Sequence, residues 1–270
     1  MLSRIRKSSR KSAPINKEFA PAVPDGQRAY AIGDVHGRLD LLDALLEAVA
    51  DDDAAREGAQ SRTILLGDLV DRGPDSRGVV ERARLLARQP DFDVLGGNHE
   101  DMFLLSFRKE GALRSFLRYG GRETLLSYGM DPDLLHEGTL AEVQAAMIEL
   151  VPDEHRRFLD TLEDSVRVGD YLFVHAGIDP EIPLEQQRRQ DLRWIREPFL
   201  GHEEPLDVMV VHGHTIHPDP QFLHHRIGID TGAYDSGRLT ALALEGTARR
   251  IIQAVEDNGA ITIAVDEVNQ

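Results

Sequence analysis

Ala29-Tyr30-Ala31-Ile32-Gly33-Asp34-Val35-His36-Gly37 is the stretch on which the reading of this chain turns. Ala29–Ile32 reads as the end of a buried strand and Gly33–Gly37 as the polar turn after it. Side chains on an extended chain alternate between faces, so Asp34 and His36 are expected to point the same way. A carboxylate beside an imidazole, with glycines that let the backbone bend around them, makes half of a metal site. Five residues recur by chance too easily to stand alone.

Working outward, the pattern repeats. Leu41, Leu42, Leu45, Leu46 and Val49 fall at helical spacing within Leu39–Ala50. Thr63–Leu66 is a short apolar strand that runs into Gly67-Asp68-Leu69-Val70-Asp71-Arg72-Gly73-Pro74. A helix over Gly78–Arg88 is stopped by Pro90, and the strand Phe92–Leu95 ends in Gly96-Gly97-Asn98-His99-Glu100. This βαβαβ order predicts parallel strands with right-handed crossovers, an α/β fold. From Asp101 to about Asp164 only helical patterns appear (Met102–Glu110, Leu140–Val151, His155–Leu162), read as a helical insertion over about 101–164. Tyr119-Gly120-Gly121 within it is a turn or a loop facing substrate. Strands resume at Val166–Val168 and Tyr171–Val174, the latter leading to His175-Ala176-Gly177. A helix over Pro183–Ile195 precedes the strand Val208–Val211 and His212-Gly213-His214-Thr215. A short pair, Gln221–Leu223 with Arg226–Ile229, leads to Asp230-Thr231-Gly232-Ala233, and Leu239–Leu244 and Ile261–Val265 are late strands.

Five apolar strands thus end in polar clusters: Asp34/His36, Asp68/Asp71/Arg72, Asn98/His99, His175 and His212/His214. Ligands of α/β sheets gather beyond the carboxyl ends of the strands, so these clusters are expected to share one crevice. One such aspartate is more often a helix cap or turn residue, and one such histidine more often a hydrogen-bonded one. Five coincidences at five strand ends are a poor alternative to a site. The chain has no cysteine, so disulfides and thiolate ligands are excluded and a metal must be held by nitrogen and oxygen, as suits Mn, Fe, Zn or Co. One carboxylate shared between two ions would hold them about 3.5–4 Å apart, able to activate a water and clamp a phosphoryl group.

The 270 residues carry a formal charge of -16, from 31 basic and 47 acidic side chains, which argues against a nucleic-acid binder. No apolar run reaches the roughly 18 residues of a membrane span, and the reading is a cytoplasmic protein. Residues 1–24 differ from the rest. Arg4, Arg6, Lys7, Arg10, Lys11 and Lys17 cluster there without the apolar core of a secretory signal. A disordered basic tail is expected over 1–24 and one domain over 25–270, with Ser8 and Ser9 as conceivable modification sites. His217, His224 and His225 read as loop histidines, His212 as packing, Trp194 as core or cleft wall, and Tyr234 as packing or facing substrate.

The ordered set Gly33–Gly37, Gly67–Gly73, Gly97–Glu100, His175–Gly177 and Gly213–Thr215 resembles the signature of calcineurin-like metallophosphoesterases, and within them the phosphoprotein phosphatases. Trp194-Ile195-Arg196-Glu197 and Ile229–Ala233 look most like the compact bacterial and phage, lambda-type serine/threonine phosphatases. The resemblance implies a β-sandwich of two mixed sheets flanked by helices, and two divalent ions, manganese foremost. It implies Asp34 and His36 on the first metal, Asp68 bridging, and Asn98, His175 and His214 on the second. His99 would protonate the leaving alkoxide, oriented by Asp71, and Arg72 and Arg196 would hold the phosphate. The function so implied is direct in-line hydrolysis of a phosphomonoester, on phosphoproteins, phosphopeptides or small phosphoesters, by a hydroxide bridging the metals, without a dedicated regulatory subunit. A diadenosine tetraphosphatase of the same superfamily is the alternative; that branch usually carries alanine where this chain has Asp71 and aspartate where it has Glu100, so the forms here favour the protein phosphatase.

Overall fold

The computed structural model describes residues 20–56 and 58–268. Most of the basic tail, with Ser8 and Ser9, lies outside the described residues. Its last four positions are a correction: Pro21–Pro24 are a packed strap. Pro21 and Val23 are buried, the Ala22 N–H donates to Asp170 Oδ2 at 3.0 Å, and the Val23 N–H donates to the Gly246 carbonyl at 2.9 Å. Prolines and alanines carry no helical or strand period, which hid the strap.

The first sheet starts from β1 (Gln27–Ile32), β2 (Gln60–Leu65) and β3 (Phe92–Val94), mutually parallel through crossovers α1 (Leu39–Ala54) and α2 (Ser76–Leu86). Next come α3 (Asn98–Ser106), α4 (Glu110–Phe116), a π-helical turn (Leu117–Gly121), α5 (Arg122–Ser127), α6 (Pro132–Glu137), α7 (Leu140–Leu150) and α8 (Asp153–Asp160). The second sheet is built from β4 (Ser165–Val168), β5 (Tyr171–Val174), β6 (Met209–His212), β7 (Gln221–Phe222) and β8 (Arg226–Gly228), in the order β4-β5-β6-β8-β7, with α9 (Arg189–Trp194) between β5 and β6. After α10 (Ala233–Ser236), the strands β9 (Arg238–Glu245), β10 (Ala248–Asp257) and β11 (Ala260–Glu267) extend the first sheet to β11-β10-β9-β1-β2-β3.

The two mixed sheets pack face to face, flanked by helices, as the resemblance implied. On β1, Ala29 and Ala31 point into the sandwich against Tyr171, Phe173, Val211 and Ile229. Tyr30 and Ile32 point the other way, onto the layer of α1 and α2. A strand apolar on both faces reads as a continuous run, as parallel strands under two layers do. A third cluster (Val174, Leu192, Phe199, Val210) seats α9 on the outer face of the second sheet.

Two sequence expectations differ. β10 was not anticipated: Ile251, Ile252, Gln253 and Ala254 are all buried, so both faces are covered and no period of two shows, while Arg250 reaches Asp52 at 2.7 Å. The helix expected over Pro183–Ile195 is a 3-10 turn at Leu184–Gln186 and then α9. Between them Gln187 bonds the Asp179 amide and the Asp179 and Ile182 carbonyls, a side-chain scaffold that competes with helix.

Candidate active site

The loops after β1, β2, β3, β5 and β6 come together at the upper edge of the sandwich and bring every residue singled out for metal binding into one buried cluster. Asp34, His36, Asp68, Asn98, His175 and His214 are each at most 7 % exposed. The route differs from an extended turn. His36, Asp68, Asp71, Arg72 and His214 are all left-handed, with φ of 44°, 47°, 77°, 70° and 62°. The chain therefore coils back at each strand end, and alternation along an extended chain is not what aligns Asp34 with His36.

Asp68 is the common member of two groups. Its carboxylate joins His36 and His99 in one and His175 and His214 in the other, the ligand atoms of each group lying within 4.8 Å of one another. A ring nitrogen facing a carbonyl must donate, which fixes two tautomers. His36 Nδ1–H donates to the Val70 carbonyl at 2.7 Å, leaving Nε2 toward Asp68 Oδ2 at 3.6 Å. His175 Nδ1–H donates to the Leu66 carbonyl at 2.9 Å, leaving Nε2 3.0 Å from Asn98 Oδ1. His214 Nδ1 lies 2.8 Å from the same oxygen, and its Nε2 is buried without a protein partner. Backbone carbonyls orienting ligand imidazoles are the usual outer support of a metal site. Asp34 stands outside both groups: its carboxylate accepts the His214 N–H at 3.0 Å and contacts the Asp230 carboxyl. A side chain at Gly97 would run into the Asp68 carboxylate, and one at Gly213 into that of Asp34.

Burial governs the charges. It holds Asp34 well above the usual carboxylate range, helped by Asp230 and Asp68. It also raises Asp68 and lowers His36 far below an ordinary imidazole. Burial pushes His175 down to about 3 and His214 to about 2. Burial thus favours the neutral imidazoles with free lone pairs, and divalent cations would add to the positive charge that Arg72 offers these carboxylates. The donor set of carboxylates, imidazoles and one amide oxygen fits borderline divalent ions.

Beside this cluster, His99 Nδ1 meets Asp71 Oδ2 at 2.6 Å and its Nε2 faces Arg72 Nη2 at 3.1 Å. Asp71 is fully buried, its other oxygen accepting the Thr124 hydroxyl at 2.7 Å. Burial lowers His99 and lifts Asp71 well above its usual range. Arg72 lies against the Tyr234 ring, 4.8 Å from its centroid. Arg196 is exposed, its guanidinium reaching the His214 carbonyl at 3.4 Å. A cavity of about 400 Å³ between Arg72, Arg118, Tyr119, Glu123 and Tyr234 opens at the site. A larger one of about 980 Å³ lies under α3 between Tyr119 and Trp194. Trp194 is a cleft wall, its indole N–H bonded to Asp101 Oδ2 at 3.2 Å.

Four supporting residues were not singled out from the sequence. Glu100, fully buried, accepts from the amides of Asp68, Leu69 and Gly97 at 2.9, 2.8 and 2.8 Å. Its signal was available, a glutamate at the third helical position of α3 as in a capping box. Asp230 had only its place in a motif. Thr124 and Arg193 gave none, since they act across long stretches of chain. His212 packs as expected, fully buried with its Nδ1–H on the Gly213 carbonyl at 2.9 Å. His225 lies in the loop between β7 and β8, as expected, with its ring buried against Phe199, His202 and His224.

Among the described residues no helix is long and apolar enough to cross a membrane. The chain is similar to the bis(5'-nucleosyl)-tetraphosphatase PrpE (asymmetrical) of Anoxybacillus flavithermus, 26% identical over 234 residues, which cover 78% of this chain and 88% of that protein. The protein of the same name from Bacillus thuringiensis is 27% identical with the same coverage. The cold-active protein-tyrosine phosphatase of a psychrophilic Shewanella species shares the fold, with a TM-score of 0.54 at 20% identity over 97% of this chain and 88% of that one. Residues 28–243, most of the chain, match the calcineurin-like phosphoesterase family, and this chain belongs to that family as a metallophosphoesterase hydrolase.

Proposed function

We propose that this chain is a metal-dependent hydrolase of phosphoric anhydrides and esters whose principal substrates are bis(5'-nucleosyl) tetraphosphates. The sharing of Asp68 between two histidine groups carries the hydrolytic reading. The substrate class is supported by the tetraphosphatase relatives and by the arginines and tyrosines around the smaller cavity.

Two divalent ions, manganese in our reading, held by Asp34, His36, Asp68, Asn98, His175 and His214 would supply positive charge for the phosphoryl group and a water of lowered pKa. The protein's own groups do the rest. Arg72, beside His36 and His99, and Arg196, beside His214, suit bidentate contacts to the phosphoryl oxygens. His99, with Nδ1–H fixed on Asp71, presents Nε2 to the leaving oxygen and delivers the proton there. A bound phosphoryl anion favours the imidazolium that burial disfavours. Asp71, itself held by Thr124, positions that ring.

The His99–Asp71 contact at 2.6 Å favours a second reading, the phosphoprotein phosphatase expected from the sequence. An alkoxide needs a proton in order to leave, whereas a nucleotide departs as a stable anion. The discriminating experiment assays diadenosine tetraphosphate, phosphoserine and phosphotyrosine peptides and p-nitrophenyl phosphate, with added Mn²⁺ and after exhaustive chelation. Faster turnover of the tetraphosphate, lost on chelation, is expected. Turnover that survives complete metal removal overturns the mechanism, and phosphopeptide turnover far above tetraphosphate turnover installs the second reading.

A further inference from the structure

Tyr119 stands where the two cavities meet, lining both, and 52% of its surface is exposed, a large share for an aromatic ring. Its position is fixed rather than casual. The π-helical turn Leu117–Gly121 breaks at Tyr119 (φ −100°, ψ 19°) and Gly120 (φ 112°). There the Gly120 carbonyl accepts the Arg72 N–H at 3.0 Å. A side chain on Gly120 would lie 2.7 Å from that nitrogen, so turn and arginine are in close contact. The ring is thereby held at a set reach from the residue proposed to grip the phosphoryl group. Each tyrosine has an arginine over one face, Arg118 at 5.8 Å for Tyr119 and Arg72 at 4.8 Å for Tyr234, and Tyr234 also meets the edge of His36, at 5.5 Å between centroids.

The surroundings of Tyr119 have the chemistry of a nucleotide. Arg118 lies 5.8 Å from its ring centroid and, with Arg72, places two cations in the cavity wall of a chain whose net charge would otherwise repel a polyphosphate. Glu123, in the same wall, is an acceptor for an exocyclic amine. Every base has a π face, and a tyrosine at the mouth of an arginine-lined groove is how single nucleotides are stacked. We propose that Tyr119 is the stacking platform for a nucleobase of the substrate, with Arg118 holding the polyphosphate beside it. This inference rests on the nucleotide reading above.

The test uses the full chain loaded with Mn²⁺ and the variants Tyr119→Ala and Tyr119→Trp. Tyr119→Ala is expected to raise the KM for diadenosine tetraphosphate about tenfold, several times more than it raises the KM for p-nitrophenyl phosphate, and Tyr119→Trp to restore the KM. As a second readout, adenosine 5'-monophosphate should compete with p-nitrophenyl phosphate better than ribose 5-phosphate does in the wild type, and equally in Tyr119→Ala. A KM that Tyr119→Ala leaves unmoved overturns the platform, as does equal competition by the two monophosphates in the wild type. A wild-type chain that cleaves p-nitrophenyl phosphate but no tetraphosphate overturns the nucleotide reading itself, and the platform with it.

Discussion

At Asp71 a left-handed backbone turns the carboxylate inward, where Thr124 takes one oxygen and His99 the other. In the proposed mechanism that arrangement separates proton delivery from metal holding, which can be tested. His99→Asn is expected to lower kcat for alkyl phosphates such as phosphoserine peptides by about 10²–10⁴, and much less for the tetraphosphate, while metal content, by elemental analysis, stays at the wild-type level. Loss of metal in that variant would make His99 a ligand, a role its grouping with His36 and Asp68 allows. Asp68→Asn is expected to lower occupancy at both positions, and two ions retained per chain would contradict a bridging carboxylate. Gly97→Ala tests the same carboxylate from behind. The added methyl collides with Asp68, so metal affinity should fall while far-ultraviolet circular dichroism is unchanged; unaltered affinity would mean that the loop yields freely.

The elements differ in how openly the sequence announces them. β1, β2 and β3 and the turns after them were legible because a buried run, a glycine and an acid follow one another within a few residues. The clustering of the candidate residues was legible for the same reason: five local signals each place a polar group at a strand end. What lay hidden depends on partners distant in sequence. Arg193 on α9 is fully buried, with Nε on Asp164 at 2.7 Å, Nη1 on Asp101 at 2.9 Å and Nη2 on the Leu162 carbonyl at 3.0 Å. It ties α9 to the start of α3 and to the end of the helical segment. No pattern in Arg189–Trp194 declares it, just as none in β10 revealed a strand covered on both faces. Arg193→Met should cost about 2 kcal/mol in urea unfolding, because two carboxylates and a carbonyl each lose a buried donor, with Arg189 and Trp194 left to hold the carboxylates. A loss within the scatter of surface substitutions would show that α9 is held by its apolar side alone.

For the molecule as a whole, the proposed metal ligands rise from both sheets: Asp34, His36, Asp68 and Asn98 from one, His175 and His214 from the other. Divalent ions should therefore clamp the sandwich. At about a hundred times its Kd, a metal that binds only the folded chain adds about 2.7 kcal/mol, and the Tm should fall on chelation and recover with Mn²⁺. A Tm indifferent to metal would leave the sheets unlinked. The same fold should weaken in acid. His225 takes a proton at 6.5 when unfolded, but burial, with His224, Arg226 and His202 nearby, pushes it down to about 4 in the fold. Below 6.5 the unfolded chain binds a proton that the folded chain refuses, so stability falls with pH until about 4 is passed, by up to about 1.4 kcal/mol per unit. His225→Phe should shrink the difference between urea unfolding near pH 7 and near pH 5; an unchanged difference would assign the acid sensitivity to other groups. One feature of the site bears on the history of such a chain. Five of its residues keep side chains in the left-handed conformation that glycine adopts freely, at about 1–2 kcal/mol each. Their sum is comparable with the whole net stability of a domain. The catalytic centre is thus kept against the preference of its own backbone, and a lineage released from the need for catalysis would drift toward glycine at these positions, growing more stable as it lost the reaction.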